Sequence, residues 1–123
     1  MMVLRLVGFI YCTSALWCLV FPELSSSGLG LHLTTASAKV EFISVYGGLQ
    51  MGLGLAMIVS SFNPKLLIGA VFFSFIFSSI LVVVRVGSIL FFGANEMIWS
   101  LLFLELSISM LFLWYLIKNR DKY

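Results

Sequence analysis

Arg85 and Glu105 are each the one charged residue of a long apolar run of this chain. A charge at the centre of a bilayer costs about 2.5–3.5 kcal/mol on insertion scales. Side chains of this kind are retained for binding, for proton transfer or for pairing with one another. Glu41 opens a further apolar run, and Tyr46 follows it with a phenolic hydroxyl. An Arg flanked by carboxylates is electrostatically sensible, because a lone charge in lipid is expelled or neutralised. Glu41, Tyr46, Arg85 and Glu105 therefore form a candidate polar site for a headgroup, an ion or a proton. A structural reading stands beside it, in which Arg85 and Glu105 are a self-neutralising pair that fixes helix register. Glu41 also suits a helix N-terminus, where the dipole favours an acid. Tyr46 suits an interfacial anchor.

Helical spacing brings these residues onto common faces. Glu41, Ser44, Gly48 and Gly52 follow one another at i, i+3, i+7 and i+11, which predicts one face of a helix. Ser74, Ser78 and Arg85 predict a second such face, and Glu105 with Ser109 a third. Small and polar residues mark helix–helix seams in lipid, where no hydrophobic force drives helices together. Gly48 and Gly52 form a GxxxG and are expected to pack closely on a neighbouring helix, with Gln50 off that stripe.

Other chemistry finds little support. No nucleophile motif, phosphate-binding loop, haem-attachment motif or metal signature is present. His32 is the single histidine and lies in a connection without a second ligand at suitable spacing. Cys12 and Cys18 lie about 120° apart on a helix, too divergent to bridge within it, and read as small packing residues. The Phe-rich stretch from Val71 to Phe77 reads as lipid-facing or packing, not as a cofactor box. These residues predict no catalytic group, no metal and no cofactor.

The elements that carry the candidate residues follow from composition. With 62% hydrophobic and only 10% charged residues, the chain cannot clothe a water-facing globule, which needs roughly a quarter charged. Its net charge of +2, without a basic stripe, excludes a nucleic-acid partner. Apolar runs cover about residues 3–21, 42–62, 66–92 and 97–117. Each approaches the ~20 residues that cross a ~30 Å hydrocarbon core, and none alternates as a barrel strand does. The first run has no small-x-small cleavage site after it and reads as a retained helix. Short connections at Asn63-Pro64-Lys65 and at residues 93–96 force antiparallel neighbours. The expected fold is all-α: one transmembrane domain over residues 1–123, an up-down-up-down four-helix bundle.

Basic residues orient it. Arg5, Lys65, Lys118, Arg120 and Lys122 share one side of a four-span chain, against Lys39, with Arg85 embedded near it, on the other. That asymmetry predicts cytoplasmic termini and puts Glu41, Arg85 and Glu105 in the outer half. Trp99, Trp114, Tyr115 and Tyr123 fall near helix ends, as aromatic belts require.

The segment Glu-Phe-Ile-Ser-Val-Tyr-Gly-Gly-Leu-Gln-Met-Gly-Leu-Gly, residues 41–54, resembles one in a family of small four-helix bacterial inner-membrane proteins of unknown function. Pro22, residues 28–31, Arg85 and Glu105 extend that resemblance over nearly the whole chain. More distantly the architecture is similar to the DoxX-like group, some of whose members are linked to quinone-dependent oxidoreductases. The resemblance implies a bacterial inner-membrane protein and supplies no function. The residues themselves favour a small membrane binding or accessory protein whose polar site takes a lipid or quinone. The alternatives are a proton- or ion-coupled transporter acting as a homo-oligomer, and a non-redox subunit of a membrane oxidoreductase.

Overall fold

Apolar runs bounded by proline, asparagine and glycine fold into helices whose ends those residues set. In the computed structural model, which describes residues 1–122 and only the backbone of Lys122, α1 spans Met2–Val20. Tyr123, expected at the interface, lies outside the described residues. Pro22 stops α1 and opens the short helix α2, Pro22–Gly28, at its first position, where the missing N–H costs nothing. Helix α3 covers Ala36–Phe42, capped by Thr35, whose Oγ1 accepts the Ala38 N–H at 3.1 Å. It continues through a π-helical segment, Ile43–Leu49, into α4, Gln50–Ser60. Helix α5 spans Pro64–Phe92 behind an Asn63 cap, and α6 spans Glu96–Lys118 behind an Asn95 cap. Gly93 makes the turn between them at φ 77°, a conformation that suits glycine. A 3₁₀ turn, Arg120–Lys122, follows α6.

The fold is all-α, without strands among the described residues. Met2–Val20, Ala36–Ser60, Pro64–Phe92 and Glu96–Lys118 are each long and apolar enough to cross a membrane. The second of these starts ahead of its apolar run, because the Thr35 cap nucleates helix through Ala36, Ser37 and Ala38. The connection after α1 also holds α2, which an exposed ion pair ties to α3: Lys39 Nζ stands 3.0 Å from Glu23 Oε1.

The chain forms two units, Met1–Phe62 and the part from Asn63 onward. In the first, α1 packs against the π-helical segment and α4. The seam is built on glycine. A Cβ added at Gly54 would stand 2.6 Å from Cys12 Sγ and 2.8 Å from the Gly8 carbonyl oxygen. One added at Gly8 would stand 2.8 Å from the Gly54 carbonyl oxygen, and one at Gly47 2.8 Å from Leu19 Cγ. At the far end Arg5 Nε donates to Ser61 Oγ at 3.0 Å, and its guanidinium lies 3.9 Å from the Phe62 ring centroid.

The π-helical segment corrects the expected stripe. An α-helix turns about 100° per residue, so a five-residue step falls about 140° out of phase. A π turn takes in one more residue than an α turn. The buried positions from α3 to the cap of α4 are Phe42, Gly47, Gly54, Met57 and Ser61, with the five-residue step running from Phe42 into the π segment. Glu41, Ser44, Gly48 and Gly52 are exposed. Beyond the helix's own neighbouring backbone, nothing lies within 4 Å of a Cβ built at Gly48 or Gly52, so the close seam expected there runs through Gly8, Gly47 and Gly54 instead.

Candidate functional site

Helices α5 and α6 form the second unit, and hydrogen bonds fix their antiparallel register. Ser79 Oγ and Ser109 Oγ lie 2.8 Å apart. Six residues further along α5 and four back along α6, Arg85 meets Glu105. Arg85 Nε donates to Glu105 Oε2 at 2.6 Å, and Nη2 donates to Oε1 at 2.7 Å. This fork-on-carboxylate geometry uses both oxygens and is the strongest arrangement available to the pair. Glu105 is only 9% exposed. The Arg85 side chain keeps 21% of its surface accessible. Sequence spacing anticipated a carboxylate for Arg85, and the one it meets is Glu105.

A polar line continues along the hairpin. Ser74, Ser78 and Ser109 are buried with Glu105. Ser78 Oγ donates to the Ser74 carbonyl oxygen at 2.7 Å. The Ser74 hydroxyl, 1% exposed, has no hydrogen-bond partner. Ser79 was not among the expected residues. Its place six residues before Arg85 hides it from an i, i+4, i+7 search, and the signal available was its opposition to Ser109.

Beside the ion pair an open groove of about 310 Å³ is lined by Leu81, Val84, Arg85, Ser88, Ile89 and Phe92 of α5, with Gly93 and Ile98 closing it past the turn. The residues around Arg85 are thus apolar, apart from Ser88, whose hydroxyl donates to the Val84 carbonyl oxygen at 2.8 Å. The groove lies at the end of the hairpin where α5 finishes and α6 begins. Glu96, exposed in the first turn of α6, stands at that same end. The basic residues Lys65, Lys118 and Arg120 belong to the opposite end.

The other expected residues are placed differently. Glu41 is exposed on α3 and belongs to none of the ion pairs among the described residues, which are Lys39–Glu23, Arg85–Glu105 and Arg120–Asp121. Tyr46 is exposed in the π-helical segment and stacks on Phe42, ring centroids 4.8 Å apart and planes 20° apart. His32 is exposed, and no group of three His, Cys, Asp or Glu side chains converges among the described residues. Both cysteines are free thiols.

Chemically, the groove sets the Arg85 guanidinium, already paired with Glu105, beside apolar walls. A family profile described as a domain of unknown function, DUF4345, matches residues 1–116. No curated protein and no solved structure matches the chain.

Proposed function

The chain belongs to the DUF4345 family, a domain of unknown function, and from that premise we propose that it is a small membrane binding protein that holds an amphiphile at Arg85 and Glu105. One observation carries this reading: Arg85, held in a withdrawn, bidentate ion pair with Glu105, also lines an apolar groove. A pair that served only to set register gains nothing from such a groove. A lipid or a quinone has the required form, a polar head for the pair and a tail for Leu81, Val84, Ile89 and Phe92. In this reading the protein sits in a bacterial inner membrane with its basic ends in the cytoplasm and its groove in the outer half.

A double-mutant cycle tests the role of the pair. Arg85→Met or Glu105→Gln alone breaks a withdrawn ion pair, at a cost of about 3–5 kcal/mol, whereas removing both charges is often neutral. We expect both single variants to melt lower in detergent and the double variant to melt near wild type. We also expect the double variant to lose the amphiphile that wild type retains on purification. A double variant that is stable and keeps the same amphiphile would reduce the pair to helix glue.

A further inference from the structure

We propose that the end of the first unit where α1 starts and α4 finishes binds the phosphate of an anionic phospholipid, with Arg5 as the residue that holds it. None of the residues concerned lines the α5–α6 groove. Arg5 is half-buried and its guanidinium is fixed on two sides. Nε donates to Ser61 Oγ at 3.0 Å, and the Phe62 ring centroid lies 3.9 Å away. Its two Nη groups have no partner among the described residues, and no described carboxylate pairs with it. A second cation comes to the same residue: the Met1 amine donates to the Ser61 carbonyl oxygen at 3.0 Å. Burial and, after it, the Arg5 charge hold the pKa of that amine below its ordinary value.

Helix stability alone does not account for two like charges at one residue. Ser61 caps the C-terminus of α4, whose dipole draws a cation, and one would serve it. Arg5 stands near the N-terminus of α1, where the dipole opposes a cation. The acids of this unit, Glu23 and Glu41, belong to its opposite end, where Lys39 is paired with Glu23. An anion from outside the chain balances Arg5 and the amine, and guanidinium N–H groups match phosphate oxygens two at a time. Depth selects the lipid as its source. Met2–Val20 and Ala36–Ser60 are the membrane-capable spans of this unit. Arg5 therefore lies about 4.5 Å inside the edge of the first, and Ser61 just past the end of the second. Side chains on a helix lean toward its N-terminus, which carries the guanidinium toward the level of the lipid phosphates. Met2, Leu6 and Phe62, exposed and next or near in the chain to Arg5 and Ser61, suit the acyl part of the same molecule.

The test adds lipid to the full chain in a nonionic detergent and reads binding by native mass spectrometry. The probes are phosphatidylglycerol, phosphatidylcholine with the same acyl chains, whose phosphate is balanced by its own choline, and inorganic phosphate as a competitor. We expect wild type to bind phosphatidylglycerol about tenfold more tightly than phosphatidylcholine, and millimolar phosphate to leave that preference intact. Arg5→Gln should abolish the preference. Phe62→Leu, at an exposed position that folding tolerates, frees the guanidinium from its ring and should weaken the preference several-fold, whether or not Arg5→Gln is stable enough to measure. Lys39→Gln, at the opposite end, should leave it intact. A preference that survives Arg5→Gln, or that Phe62→Leu leaves untouched, overturns the proposal. Equal losses in Arg5→Gln and Lys39→Gln do so too, since they mark diffuse attraction to basic residues. Loss of the preference in phosphate shows a site for a small anion and overturns the assignment to a lipid.

Discussion

At Gly54 the backbone carries a requirement that no neighbouring residue could meet. The space a methyl group would need there is occupied by Cys12 Sγ, the Gly8 carbonyl oxygen and the Cys12 amide, and backbone atoms cannot swing aside. Gly54→Ala should therefore destabilise, at a cost of about 1–3 kcal/mol for an overpacked contact. Gly52→Ala meets open space and should be neutral or stabilising by up to about 1 kcal/mol, the helix-propensity difference. Thermal melting of the two variants in one detergent checks the contrast; equal losses would contradict the seam described. The sequence made the importance of glycine legible but not which glycines matter. The GxxxG at Gly48 and Gly52 matches a pattern, whereas the contact is set by the phase of the helix, which a π segment alters. Arg85 and Glu105 were legible for a stronger reason. A charge in a long apolar run must find a partner, and the two runs are joined by a turn short enough to bring them together.

At the scale of elements, the π-helical segment Ile43–Leu49 lets Phe42 be buried together with Gly47 and Gly54. Removing one exposed residue from that segment shortens the five-residue step to four, which an α-helix can accommodate. Deleting Ser44 should thus leave melting close to wild type. Deleting Leu55, exposed in α4, rotates everything before it by about 100° and should lower melting markedly. A Ser44 deletion that is as harmful as the Leu55 deletion would show that the widened turn matters for itself. Nothing in residues 43–49 announces a π-helix, because intrinsic propensities do not separate it from an α-helix. The helix ends were more readable. Pro22, Asn63-Pro64 and Asn95 cap or break by local chemistry, and the structure uses each of them. The Thr35 cap was missed because Ser37, Lys39 and Glu41 interrupt the residues that follow it, and hydropathy alone does not extend a span through them.

For the molecule as a whole, four membrane-capable helices with basic residues at alternate connections predict one orientation. A phosphatase fused after Tyr123 should be inactive, and a cytoplasmic reporter at the same point should be active; phosphatase activity would reverse the topology and put the groove on the cytoplasmic side. Composition made the membrane class plain, since so few charges cannot cover a soluble surface. The groove was not readable, because it depends on how the end of α5 meets the start of α6, and no residue type encodes that. It is nonetheless where the functional account stands or fails. The most direct test is to place a photo-crosslinking side chain at Ser88, inside the groove, and separately at Ile80, which is exposed on α5 and outside it, then to irradiate intact membranes. The account predicts that Ser88 captures one amphiphile species in preference while Ile80 captures the bulk lipid mixture. Capture of the same mixture at both positions would contradict it.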